Sequence, residues 1–267
     1  MSKIGIALSC YNKLDHLAMN IDVIRNHWKE KVYISVCCNY PDGYEYVKSL
    51  DIDKFVPGDD LPYDTKPQRR RRIIDCIEKS IKANEADYVV HWHSDAFAIN
   101  YESLDTIVEE MKTKDIGVSF RGRGLWYHNA KCEWGDVDDH FLFMKQEDID
   151  TILDFQAMEK HLQLSTEDFL KLWNPETFLS CLIRFCDNTV KSNHYSDMSE
   201  CVVGTTSQDS FYEDNLCHRA MNPFNLDETR KFYHVGTLRD WKQTVQWELP
   251  SAQEEMKCFN KRSFGCD

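Results

Sequence analysis

Three things are scarce or missing in this sequence, and each narrows what it encodes. No two cysteines are spaced C-x-x-C, although 11 occur in 267 residues, so a structural zinc knuckle lacks its usual ligand spacing. No apolar run approaches the roughly 20 residues that cross a bilayer, and Met1 to Ser9 is too short and too polar for a signal peptide. The expectation is a soluble, cytoplasmic protein without a transmembrane segment. Positive charge is in deficit, 32 Lys and Arg against 45 Asp and Glu, for a net charge of −13. A polyanionic duplex repels such a body at long range, which excludes a general nucleic-acid binder.

What is present suits a packed α/β protein. Hydrophobic residues make up 42% and aromatics 12% of the chain, enough for a sizeable core. Lys3 to Ser9 is an apolar run stopped by Cys10-Tyr11-Asn12, the pattern of a strand buried on both faces. Leu14, Leu17, Ala18, Ile21, Ile24 and Trp28 recur at helical spacing, and Val32 to Cys38 reads as the next strand, closed by the turn formers Asn39-Tyr40-Pro41-Asp42-Gly43. Strand, helix, strand is the unit of a parallel sheet. An apolar piece at Lys54–Val56, a proline-rich loop from Pro57 to Pro67 and a helix from Pro67 to Asn84 follow.

Asp87–Trp92 reads as another central strand, Tyr101–Lys112 as a helix, and Ile116–Phe120 as a strand ending at the glycine-bearing Arg121–Gly124. Farther on, His140–Lys145 has strand character, and Gln146–His161, Ser165–Trp173 and Pro175–Cys186 are helical, with Ser165 and Asp168 as a capping box. No internal repeat or low-complexity segment appears. Cys10, Cys37, Cys38, Cys76, Cys181 and Cys186 fall within these elements, so free buried thiols are expected.

Polar side chains gather where strands end. In an open parallel sheet ligands bind at the carboxyl ends of the strands, and three segments place chemistry there: Ser9-Cys10-Tyr11-Asn12, His93-Ser94-Asp95, and the late stretch Tyr233 to Trp241. His91, His93 and Asp95 alternate along a strand and its extension, so their side chains share one face. That set suits a divalent cation, the carboxylate favouring Mg2+ or Mn2+ and imidazole pulling toward Mn2+ or zinc. The plainer alternative makes His91 a core histidine bonded to backbone and Asp95 a turn cap. Gln68-Arg69-Arg70-Arg71-Arg72 opens a helix, where cations oppose the dipole. Either a phosphate compensates, with Arg69 or Arg72 the contact, or the run is a solvated face whose members point apart.

With these motifs the sequence resembles the nucleotide-sugar glycosyltransferases of the GT-A fold. Tyr11-Asn12 is similar to their nucleotide loop, His93-Ser94-Asp95 to a D-x-D motif with histidine in first place, and His234-Val235-Gly236 with Arg239 and Trp241 to their C-terminal H-x-x-G-x-x-K-P-W motif. The resemblance implies a single domain, 1–267, built on a Rossmann-type, mostly parallel sheet, with a nucleotide-sugar-binding half (1–125) and an acceptor-binding half (126–267). It implies transfer of a sugar from a nucleoside-diphosphate sugar to a hydroxyl acceptor on a glycan or glycoconjugate.

Mn2+ or Mg2+ would be held by Asp95 and His234, with His93 a weaker ligand or a diphosphate donor. The donor would meet Ser9, Tyr11, Asn12, Arg69, Arg72, His93, Ser94, Asp95, Gly236, Arg239 and Trp241. Glu176, at a helix start, resembles the base of inverting members or else complements the helix dipole, and Asp139, with Asp136 and Asp138, is the rival carboxylate. Trp126, Tyr127 and Trp134 are candidates to stack on sugar rings. The remaining readings are an inactive sugar- or nucleotide-binding module of the same fold, a sugar nucleotidyltransferase, disfavoured because no glycine-rich loop follows the first strand, and a metal-dependent hydrolase.

Overall fold

Seven apolar or small residues, Ile4–Cys10, form β1, and Ile6, Ala7 and Leu8 have no solvent exposure at all. A computed structural model describes residues 4–11, 13–27, 31–94, 97–98, 101–123, 136–137, 139, 141–186, 188–195 and 202–203. Along the chain, β1 is followed by α1 (Leu14–His27), β2 (Tyr33–Cys38), α2 (Tyr44–Lys48), β3 (Lys54–Pro57), α3 (Lys66–Lys82) and β4 (Tyr88–His93). Then come β5 (Phe97–Ala98), α4 (Tyr101–Lys114), β6 (Val118–Arg123), β7 (Asp136–Val137) and β8 (Leu142–Lys145). The described elements end with α5 (Ile149–Ile152), α6 (Phe155–Leu162), α7 (Thr166–Leu172), α8 (Pro175–Phe185), β9 (Ser192–Tyr195) and β10 (Val202–Val203).

The main sheet has the order β3-β2-β1-β4-β8-β6-β7, with β9 also paired to β6. Strands β1, β2, β3 and β4 run parallel, as does the β6–β9 pair. The reversal comes at β8, antiparallel to both β4 and β6. The sheet is mixed but mostly parallel, as the alternation of apolar runs and helical periods implies. Strands β5 and β10 form a separate antiparallel pair.

The chain divides into two compact units. The first comprises Met1–Asn12, Val32–His93 and Asp105–Ser196, and the second Lys13–Lys31, Ser94–Leu104 and Asp197–Asp267. The core of the first unit joins Ile74, Ile77 and Ile81 of α3 to Ala7, Val89 and Leu142 of the sheet and to Phe169, Phe178 and Leu182 of α7 and α8. Within the second unit, Leu17, Ile21 and Ile24 of α1 are buried, at the positions its periodicity marks. Cys10, Cys37, Cys38, Cys76, Cys181 and Cys186 are free thiols.

Two expectations need correction. The span Gln146–His161 is not one helix: a 3-10 turn (Gln146–Asp148) leads into α5, and α6 starts anew. Asp154 causes the restart, because its carboxylate accepts from the Ala157 N–H at 2.9 Å and so offers the backbone a cap in place of a continued turn. The strand starting near Ile116 does not stop at Phe120. It runs to Arg123 because Gly122 and Arg123 find partners in Val137 and Asp136, a long-range pairing that overrides the glycine signal.

Candidate active site

The register of the central strands brings the first cluster together. Ser9 of β1 lies opposite His93 of β4, and their side chains meet, Ser9 Oγ lying 2.6 Å from His93 Nδ1. On its other side His93 Nε2 is 2.9 Å from Asp139 Oδ2. His91, two residues earlier on the same face, closes the circuit: its Nε2 is 3.2 Å from Ser9 Oγ and its Nδ1 is 3.1 Å from the Asp139 backbone carbonyl. Ser9, His91 and Asp139 are buried, and only His93, 12% exposed, reaches the surface.

Proton bookkeeping assigns the roles. A carbonyl only accepts, so His91 Nδ1 carries a hydrogen, and in the neutral ring Nε2 accepts from the Ser9 hydroxyl. Ser9 Oγ then accepts from His93 Nδ1–H, which leaves His93 Nε2 to share a proton with the Asp139 carboxylate. His93 and Asp139 thus hold one proton between them at the carboxyl end of β4. Phe141 holds the approach to Asp139. It adopts φ 56°, an unfavourable conformation for a bulky side chain, and it is fully buried with its ring stacked on Trp92 at 4.9 Å between centroids.

A second feature lies where β1, β2 and β3 end. Tyr11, Tyr40, Asp42, Asp60, Tyr63, Asp64 and Arg72 border a cavity of about 470 Å3. Arg72 comes from α3 and is 5% exposed. Its guanidinium carbon lies 4.8 Å from the Tyr11 ring centroid and 4.9 Å from that of Tyr63, so two aromatic faces hold the cation. Its Nη2 donates to the Asn39 carbonyl, and Asn39 Nδ2 donates back to the Arg72 carbonyl at 3.1 Å. Arg72 Nε and Nη1 have no partner. Gly58 backs this pair, and a Cβ there would collide with Asn39. Burial, and then the hydrogen bond with Tyr63, raises the Tyr11 hydroxyl above its ordinary pKa.

The other arginines of the run diverge, as helical geometry requires. Arg69 is exposed, Arg70 donates to the Leu170 carbonyl at 2.9 Å, and Arg71 lies over the Phe155 ring. Gln68 is taken by the helix start, accepting from Thr65 N–H at 2.9 Å. Ser94 is buried, and its carbonyl accepts from Asn20 Nδ2 at 3.1 Å. Glu176 sits in the first turn of α8 behind the Asn174 cap, a position that complements the helix dipole.

Among the described residues no group of three or more His, Cys, Asp or Glu side chains is placed to hold a metal ion. Asn12, Asp95, His234, Gly236, Arg239 and Trp241 lie outside the described residues, as do Asp138, Trp126, Tyr127 and Trp134. Several contributors had escaped the sequence reading: Tyr40 and Asp42, taken only as turn formers, Asp60, Tyr63 and Asp64, in a loop without periodicity, and Phe141, whose only signal is its place beside Asp139.

A parallel β3-β2-β1-β4 block continued by the reversed strand β8 and then by β6, which again runs with the block, with polar clusters at the carboxyl edge, is a GT-A-like α/β fold. Two solved structures of the galactosyltransferase LgtC share it. One, in complex with donor and acceptor sugar analogues, is 10% identical and covers 94% of this chain and 99% of its own, with a TM-score of 0.52. The other, an active-site mutant of the same enzyme, is 12% identical over the same shares, with a TM-score of 0.55. At such identities the likeness is one of fold. No protein-family model matches the sequence, and no curated protein matches it. No described helix is long and apolar enough to cross a membrane.

Proposed function

We propose that this chain is a glycosyltransferase that moves a hexosyl or pentosyl group from a nucleoside-diphosphate sugar to a hydroxyl of a glycan or glycoconjugate. The observation that carries the reading is the cavity. Segments following the carboxyl ends of three successive parallel strands converge on it with aromatic walls and a buried arginine that has donors to spare, in the place where this sheet type binds nucleotides. Tyr11 and Arg72 take the nucleoside end of the donor. His93, the exposed member of the second cluster, is the cation for charge that develops on the leaving diphosphate. Asp139 acts through His93 as a positioning residue. Asp95, Asn12, Ser94, Arg69, Gly236, Arg239 and Trp241 complete the proposed donor contacts, and Glu176 stays the proposed base for the acceptor hydroxyl.

The described histidines do not fit a divalent cation, because both ring nitrogens of His91 and of His93 already have partners. No step here runs through a metal on them. Asp95 and His234 are the proposed holders of Mn2+ or Mg2+.

A thermal-shift panel of nucleoside-diphosphate sugars, each with and without Mn2+, tests the reading, since a ligand specific for the native state raises its midpoint by mass action. At least one donor is expected to stabilise the protein and to release its sugar to water or to an acceptor. The reading fails if no donor shifts the midpoint. A shift that Mn2+ leaves unchanged removes the metal from it.

A further inference from the structure

We infer that loop 60–64 is a lid on the tyrosine–arginine cavity: Tyr63 covers Arg72 in the free protein, and the loop lifts to let a ligand reach that arginine. That the ligand is a nucleoside diphosphate rests on the donor-binding reading above. Arg72 borders the cavity, yet it is 5% exposed and its unpartnered Nε and Nη1 are buried. Buried donors without partners are costly to keep, and a ligand satisfies them only after a wall has moved. Two of the walls are fixed. Helix α3 is held by Ile74, Ile77 and Ile81, all in the core, and Arg72 itself by the reciprocal bonds with Asn39. Tyr11 follows directly on β1, and its carbonyl accepts from the Cys38 thiol at 3.6 Å. The third wall is Tyr63, 51% exposed, with its ring centroid 4.9 Å from the Arg72 guanidinium carbon and 5.6 Å from the Tyr11 centroid.

Helix α3 fastens the loop at both ends. Gln68, Arg72, Asp75 and Lys79 follow one another at steps of four, three and four residues, so they form one stripe along the helix. Gln68 accepts from the Thr65 N–H at 2.9 Å, Asp75 accepts from the Asp59 N–H at 2.8 Å, and Lys79 pairs with the Asp59 carboxylate. Just ahead of them the Gly58 N–H donates to the Cys38 carbonyl at 2.7 Å, and its carbonyl accepts from the Tyr44 hydroxyl at 3.3 Å. Between these anchors the chain is loosely held. Residues 60–64 are exposed apart from the half-buried Leu61. Among the described residues, the only backbone group of this stretch with a partner is the Leu61 N–H, which donates to the Asp59 carbonyl at 2.8 Å. A segment tied at its ends and scarcely bonded between them opens at little cost and leaves its anchors in place. What it gives up on opening is the Tyr63 ring over Arg72 and the hydrogen bond between the Tyr63 and Tyr11 hydroxyls.

The test is modification of arginine by phenylglyoxal on the full chain, mapped by peptide mass, with the exposed Arg69 of the same helix as internal reference. Tyr63→Ala is expected to speed modification of Arg72 at least about tenfold relative to Arg69, whereas Tyr63→Phe, which keeps the ring, stays within about twofold of the parent. Because Tyr63 is half exposed, neither substitution opens the core. Stopped-flow association of UDP, GDP, CDP and ADP is measured alongside. Those that bind should associate at least about threefold faster with Tyr63→Ala, since the binding-competent fraction of the protein is then larger. Arg72 reacting no faster in Tyr63→Ala overturns the lid, and so does a Phe variant as reactive as the Ala variant. Faster modification with unchanged association overturns the loop's role as a gate. Faster modification with no nucleoside diphosphate and no nucleotide sugar binding leaves the lid in place and removes the donor-binding reading.

Discussion

Asp139 and Glu176 are the two carboxylates proposed to serve the reaction, and their surroundings differ. Asp139 is 1% exposed and bonded to His93, and in the proposed reading it positions that ring and favours its protonated form. Replacing it with Asn keeps the shape and removes the charge. Turnover of Asp139→Asn is expected to fall about 100-fold, the scale of losing one charge-stabilising donor, with the donor KM changed less than about threefold. A steady-state pH series separates positioning from mere structure: the variant should regain activity toward acid pH, where the ring takes up a proton without help from the carboxylate, and the parent should not. Glu176→Gln lowers turnover as strongly only if Glu176 is the acceptor base. If it only complements the helix, the loss is confined to stability, at about 0.5 kcal/mol.

At the scale of elements, the join between the β3 loop and α3 has a pH signature. Asp75 is 2% exposed, and burial raises its carboxyl above the usual range; it accepts from the Asp59 N–H at 2.8 Å. Lys79 bridges Asp75 and Asp59 and lowers the latter's pKa, while both carboxylates raise its own. A carboxyl whose folded pKa is lowered contributes stability above its unfolded pKa and loses it as pH falls through the folded value. A lysine whose folded pKa is raised contributes below its unfolded pKa, so the two contributions coincide near neutrality. Lys79→Met is therefore expected to cost on the order of 1 kcal/mol at pH 7, allowing for the exposure of Asp59. Urea midpoints of parent and variant should converge once the pH has fallen through the lowered pKa of Asp59, below which both carboxylates are protonated.

Elements also mark how far the sequence can be read. Strands β1, β2 and β4 and helices α1, α3 and α8 are set by local apolar period, and their ends fall within two residues of the pattern. The continuation of β6 and the pairing of β9 depend on partners distant in the chain, which no local window contains. The site divides the same way. Ser9, Tyr11, Arg72 and His93 stand at strand ends or a helix start and were legible, whereas Asp60 and Tyr63 reach the cavity on a loop whose course is set by tertiary contacts such as Gly58 against Asn39.

For the whole molecule the governing number is the charge of −13. The proposed donor, a nucleoside-diphosphate sugar, is itself an anion, so the long-range field would oppose its approach even with Arg72 and His93 as the proposed local contacts. Salt screens that field over about 10 Å at 0.1 M. The association rate constant for the donor, measured by stopped flow, is expected to rise about two- to threefold between roughly 20 and 150 mM salt, the reverse of an electrostatically steered encounter. A rate that falls with salt would mean that the local cations outweigh the molecule's net charge at the distances that matter.

The antiparallel course of β8 has a further outcome for how such a site can change over time. A parallel strand enters the sheet at the edge remote from the ligand, so the residues ahead of it are far from the chemistry. Strand β8 enters at the opposite edge, pairing Leu142 with His91, and described residues ahead of it lie beside the ends of β1 and β4. Asp139 is one such residue. Substitutions at Asp139 can therefore supply new groups to the proposed reacting edge while every described strand keeps its register.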